Sequence, residues 1–270
     1  MPVKQKKIAS PFLKKLFGEY SIIVVAVVMV LIATILEGTT FFSLKNFLNV
    51  LRNNAVQGII AFGMSFVIIT GNIDLSVGPQ LVVAGISCLA TLNSTGSIAL
   101  AILVAILSSV LLSVLTGVIV TKGHVPSFIV TLGMQYVYRS VSIFVMDARG
   151  ITGEVKAFQL ISNHSIGDLV PMPIIYFAVM FLIYWYISKY TVIGRRIYAV
   201  GSNEKATRLS GINTDMTKIV SFILLGVTVG VAAVIEASRM NSINSTSSGL
   251  NYELNAIAMS DIPLYHNKKY

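Results

Sequence analysis

The stretch Gly63-Met64-Ser65-Phe66-Val67-Ile68-Ile69-Thr70-Gly71-Asn72-Ile73-Asp74-Leu75-Ser76-Val77-Gly78-Pro79 decides how this chain is organised. An apolar helix runs into a polar Gly-Asn-x-Asp-x-Ser break, and a second apolar helix resumes beyond it. Gly71 supplies the left-handed residue that ends a helix. Ser76 caps the next one, which leaves Pro79 in the first turn, where a missing N–H does no harm. With Asp74 as the cap, Pro79 would lie deeper and kink the helix. Irregular backbone at membrane depth is tolerated only where it is buried in protein or lines a wet cavity. Two readings follow. Asn72, Asp74 and Ser76 border a solute path or brace its gate, or they form a polar turn at the membrane surface that caps two helices.

Outward from this stretch, the composition names the solvent. Of 270 residues, 55% are hydrophobic and 11% are charged, whereas soluble domains carry charge on about a quarter of their residues. Seven apolar runs are long enough to cross a bilayer, at about 18–36, 50–70, 76–92, 98–121, 127–146, 172–188 and 218–237. They are too long and too uniformly apolar for barrel strands, so the expected class is an all-α polytopic transmembrane bundle. Lys4, Lys6, Lys7, Lys14 and Lys15 precede the first run as in a secretory signal. The stretch Leu36-Glu37-Gly38-Thr39-Thr40 lacks the small-x-small cleavage pattern, so that run reads as an uncleaved first helix. With the N-terminus cytoplasmic, twelve lysines and arginines fall in inner segments and five in outer ones, as the positive-inside rule asks.

Several chemistries are excluded. There is no G-x-x-x-x-G-K-[ST] phosphate loop, Rossmann fingerprint, nucleophile elbow or zincin motif. The lone Cys88 and the scattered His124, His164 and His266 offer neither a disulfide framework nor a metal set. The net charge of +9 is spread between apolar runs rather than gathered into a basic, aromatic-laced patch, so nucleic acid is not the partner. No catalytic residue, metal ligand or cofactor is expected within the chain. Energy for any active transport must come from a partner or an ion gradient.

On the fifth run, Gln135, Tyr138, Arg139 and Ser142 follow i, i+3, i+4, i+7 and share one helical face. An arginine inside a span costs at least about 2.5 kcal/mol unless paired or hydrated, so this face points into the bundle. It either lines a path for a hydroxyl-rich solute or bridges helices, with Glu236 in the seventh run as the partner for Arg139. Gly226 and Gly230 form a G-x-x-x-G pair suited to close helix packing. Between the sixth and seventh runs, Ser202 or Asn203 caps a short helix, Glu204 sits in its first turn and Gly211 stops it. Such a helix either lies on lipid or docks into a cytoplasmic motor.

Four ordered stretches resemble the permease subunits of ribose-type ABC importers. They are Gly63–Gly78, Val125-Pro126-Ser127-Phe128-Ile129-Val130-Thr131-Leu132-Gly133, Gly194–Ile212 and Gly249-Leu250-Asn251-Tyr252-Glu253-Leu254-Asn255-Ala256-Ile257-Ala258. The resemblance implies a multi-pass protein of a bacterial cell membrane that imports a monosaccharide by alternating access. It also implies a second permease copy, a cytoplasmic ATP-binding cassette ATPase that holds ATP and Mg, and an extracytoplasmic sugar-binding protein. Gly194, Arg195, Gly201, Asn203, Glu204, Ala206, Arg208, Leu209 and Gly211 then belong to the loop that couples to the ATPase. The chain departs from the pattern at Pro79, where a small residue is usual. It departs again after Ala258, where polar residues 259–270 replace a glycine-rich segment and further helices. The expected division is therefore an incomplete permease domain, 1–258, and a divergent polar tail, 259–270. The alternatives are a truncated, non-transporting fragment and an ion-coupled secondary transporter; the latter would show inverted repeats, and none is visible.

Overall fold

The computed structural model of the chain describes residues 21–167 and 169–261. The N-terminal lysines and most of the polar tail lie outside them. The chain divides into two compact units, residues 1–50 and 51–270. The first holds an apolar helix, α1 (Ser21–Glu37), a 3-10 turn at Gly38–Thr40, and the start of α2 (Leu44–Ile69), whose first turn is tied by Asn46 N–H donating to Ser43 Oγ.

The second unit continues with α3 (Val77–Thr95), α4 (Ile98–Lys122), α5 (Ser127–Val145), β1 (Gly150–Thr152) and α6 (Lys156–Asn163). A small hairpin, β2 (Ser165–Ile166) and β3 (Val170–Pro171), leads into α7 (Met172–Tyr190), α8 (Val192–Ser202) and α9 (Glu204–Leu209). The long α10 (Thr214–Met240), β4 (Ser242–Asn244) and α11 (Tyr252–Asp261) complete it. Each of the seven apolar runs falls on a helix, the first described only from Ser21. Among the described residues, α3, α4, α5, α7 and α10 are long and apolar enough to cross a membrane.

The centre of the bundle is α10 packed between α3 and α4. A stripe of small residues at four-residue spacing on α4 (Ala101, Ala105, Ser109, Ser113, Gly117) makes this approach possible. A Cβ at Gly226 would press on Ser113 and on Val110 Cα, and one at Gly230 would come within 2.7 Å of Ile106 Cα. The expected packing role of the glycine pair holds. Lipid tails are as apolar as leucine, so helix association here draws on close contact and inter-helix hydrogen bonds. Gln80 supplies several of the latter. Its amide donates to Ser109 O (2.8 Å), Ser109 Oγ (2.9 Å) and Ser113 Oγ (2.7 Å), and Ser109 Oγ donates to Gly226 O (2.8 Å). Met64, Leu81, Phe222, Leu225 and Val229 form one core cluster; Leu89, Leu92, Phe158, Val234 and Ile243 form another. By contrast α5 and α7 expose Ile129, Val137, Phe144, Phe181 and Leu182, the side chains a helix shows to lipid.

The connection 147–171 carries secondary structure of its own. Its β1 pairs antiparallel with β4, Gly150 opposite Asn244, and α6 buries Phe158 and ties to α10 through Ser162 Oγ on Ile235 O (3.0 Å). The segment 192–211 holds two helices rather than one. Thr191 opens α8 by accepting from Gly194 N (3.2 Å), while Ile197 and Val200 turn inward. The short apolar spacing of that face was the available signal.

Candidate translocation and coupling site

The Gly71–Ser76 break takes the shape its residues predict. Gly71 has φ +79° and ends α2. Ser76 is the residue before α3, which runs through Pro79 without interruption because Pro79 lies in its first turn. The expected cap by the Ser76 side chain is not made; Asp74 instead closes a turn onto Ser76 ahead of the helix. Asp74 Oδ1 accepts from Ser76 N (2.8 Å) and Ser76 Oγ (2.6 Å). Asp74 is fully buried and its Oδ2 has no hydrogen-bond partner. Burial raises this carboxyl to about 6, against the lowering effect of the two bonds from Ser76. Asn72 turns back on the chain, donating to Thr70 O and Thr70 Oγ1 (both 3.2 Å). The hydrogen bonds given for these three side chains stay within the turn and the end of α2.

Two neighbours grip the turn. On α5, Ser127 Oγ accepts from Ile73 N (3.1 Å) and Thr131 Oγ1 donates to Ile73 O (3.3 Å), so both backbone polar groups of one residue are held. On α8, Gly201 approaches so closely that a Cβ there would collide with the carbonyl oxygen of Ile69. Asn203 caps α9 by accepting from Ala206 N (3.0 Å), and Gly211 at φ +82° stops it. Arg195, Ala206, Arg208 and Leu209 are exposed, Leu209 to 90%, so α9 offers an uncovered apolar knob. Its other side is tied down. Lys218 Nζ meets Glu204 Oε2 at 2.8 Å, Arg208 meets Asp215 at 3.1 Å and Glu204 at 3.5 Å, and Lys122 meets Asp215 at 3.4 Å. Between this network and the turns at Gly71–Asn72 and His124–Ser127 lies an open cavity of about 440 Å³.

The predicted face of α5 separates into two jobs. Tyr138 and Ser142 are buried in helix packing. Tyr138 Oη donates to Leu112 O and pairs with Thr116 Oγ1 (both 2.8 Å), and Ser142 Oγ bonds its own helix at Tyr138 O (2.6 Å). Gln135 and Arg139 instead line a second cavity, about 220 Å³, with Pro79, Tyr136, Leu250, Asn251 and Glu253. Arg139 does not bridge to Glu236. Glu236 is taken by Arg239 (2.9 Å) and by Tyr252 Oη (3.2 Å). Arg139 Nη1 donates to Ser245 O and Ser248 O, both at 3.0 Å. These carbonyls belong to the irregular segment between β4 and α11, which lacks helical partners. A guanidinium with several donors in a fixed fork satisfies them.

That segment packs against the first turn of α3. Gly249, at φ +67°, and Gly78 meet backbone to backbone: a Cβ on either would collide with the other's carbonyl oxygen or crowd it at 2.5 Å. From there α11 leads to Ser260, whose Oγ donates to Ala61 O of α2 (2.9 Å). Gln135 Nε2 reaches Glu253 Oε1 at 3.4 Å. Glu253 was not singled out from the sequence; an acid in the first turn of the helix was the available signal.

The family described as branched-chain amino acid transport system / permease component matches residues 46–263. The ribose import permease protein RbsC of Escherichia coli (strain K12) is 36% identical over 246 residues, 90% of this chain and 76% of that protein. RbsC of Bacillus subtilis (strain 168) is 41% identical over 234 residues, covering 86% and 71%. The D-allose transport system permease protein AlsC of Escherichia coli (strain K12) is 28% identical over 251 residues, covering 92% and 76%. No solved structure gives a significant match. A glycine-ended helix break, a capped two-helix connection and an arginine-pinned irregular segment thus occur within one matched region, and the chain belongs to this family of transport-system permease components.

Proposed function

We propose that the chain is the membrane-spanning subunit of an ABC importer that carries a monosaccharide, with ribose and its relatives as the substrate class. The relatives at 36% and 41% identity are named for ribose import and another for D-allose, which supports the solute. The observation that carries the mechanism is the abutment of Gly201 on Ile69. An ATPase docked on Leu209 and the exposed side of α9 would push α8 against the end of α2. The push would pass through the Gly71–Ser76 turn to Ser127 and Thr131, and along α5 to Gln135 and Arg139. Ser127 and Arg139 are twelve residues apart, about 18 Å of helix. Asn72, Asp74 and Ser76 keep the turn stiff enough to transmit the motion.

The orientation in this reading puts the N-terminus and α8–α9 in the cytoplasm. Lys189, 5.5 Å from the Trp185 ring and 5.6 Å from that of Tyr190, fits the cytoplasmic headgroup level where cations and aromatics gather. Seven helices spanning the bilayer, a second permease copy and an extracytoplasmic sugar-binding protein complete the assembly. The test is uptake of labelled D-ribose into vesicles holding the chain with its ATPase and binding protein. ATP-dependent uptake that stops when the ATPase loses its phosphate-loop lysine is expected. Uptake that follows an ion gradient without ATP would overturn the reading in favour of a secondary transporter.

A further inference from the structure

The cavity lined by Gln135, Arg139, Asn251 and Glu253 holds more chemistry than a hinge needs. Four elements converge on it: Pro79 from α3, Gln135 and Arg139 from α5, Asn251 from the irregular segment and Glu253 from α11. Glu253 is 7% exposed, and its Oε2 has no hydrogen-bond partner. A buried carboxylate oxygen left unpaired calls for a donor. Its other oxygen takes a long 3.4 Å bond from Gln135, and Arg139 spends Nη1 on the loop carbonyls.

We infer that this cavity is a resting station for an uncharged, vicinally hydroxylated solute, with Glu253 as its principal acceptor; the inference rests on the permease reading above. A carboxylate only accepts, a guanidinium only donates and an amide does both, so together they match hydroxyls that both donate and accept. One cation and one anion line the cavity. A charged solute would leave one of them without its counterpart, whereas a neutral polyol leaves the pair balanced. Pro79, Tyr136 and Leu250 form the apolar part of the lining, suited to the C–H face of a sugar ring. The pinning of Ser245 and Ser248 by Arg139 makes α5 and the irregular segment move together, so a push along α5 changes the width of the station.

The experiment uses the full complex in vesicles with Leu250→Cys as reporter, since native Cys88 is buried. A membrane-permeant thiol reagent labels the cysteine during turnover with ATP and loaded binding protein. D-Ribose at ten times its half-protecting concentration is expected to slow labelling about tenfold by mass action, and ribonate, its acid, is expected not to. Adding Glu253→Gln, nearly isosteric, should abolish protection while the melting temperature stays near that of the parent. Protection that survives Glu253→Gln overturns the assignment of Glu253. No protection in a complex that still imports ribose overturns the station and leaves the permease reading standing. A complex with no ATP-dependent uptake overturns both.

Discussion

Gly201 of α8 lies against the carbonyl oxygen of Ile69, the last residue of α2, with no room for a side chain between them. Backbone cannot yield as the tip of a flexible side chain can. The contact is therefore stiff, and it joins the exposed α8–α9 hairpin to the helix break at Gly71.

Gly201→Ala is expected to force α8 off α2. Overpacking of this kind costs about 1–3 kcal/mol, which should lower the melting temperature in detergent. In the assembled importer it should also separate ATP hydrolysis from uptake. Wild-type ratios of sugar moved to ATP consumed would count against the contact as a transmission point.

Leu209 is the exposed apolar knob of α9. Leu209→Asp should leave the fold unaltered, within about 0.5 kcal/mol as for surface positions, and abolish copurification of the ATPase. Retained copurification would place the docking surface elsewhere.

Arg139 supports two backbone carbonyls by itself. Arg139→Ala strands them, at about 1–3 kcal/mol for unsatisfied buried groups, and should expose the 245–251 segment to proteolysis. Arg139→Lys keeps the charge but loses the planar fork, so an intermediate loss is expected. Protection equal to wild type in Arg139→Ala would show that the segment is held by other means.

Asp74 gives a pH signature. Its folded carboxyl is raised to about 6 from 3.8, so between those values the folded state binds the proton that the unfolded state releases. Stability on this account falls as pH rises through that window, by on the order of 3 kcal/mol in total. Asp74→Asn keeps an acceptor for Ser76 and removes the titration. Thermal melts from pH 4 to 7 should show a slope in wild type that is flatter in Asp74→Asn; parallel slopes would exclude Asp74 as the source.

The membrane helices were legible because twenty apolar residues in a row have few other uses, and the break at Gly71–Ser76 because glycine, proline and capping side chains act locally. What escaped was non-local. That Arg139 would choose the carbonyls of Ser245 and Ser248 over Glu236 depends on a segment more than a hundred residues away folding back beside α5. Likewise α6 and α8 are short amphipathic pieces whose faces acquire meaning only once α10 and α2 are in place. Glu253 looked unremarkable beside Tyr252 until Gln135 was brought to it.

At Gly78 and Gly249 two main chains touch with nothing between them. Neither position offers an atom to exchange, so that wall cannot be re-tailored for a bulkier or slimmer cargo. If the proposed station sets what passes, any drift in cargo is written on its side chains, Gln135, Asn251 and Glu253 among them.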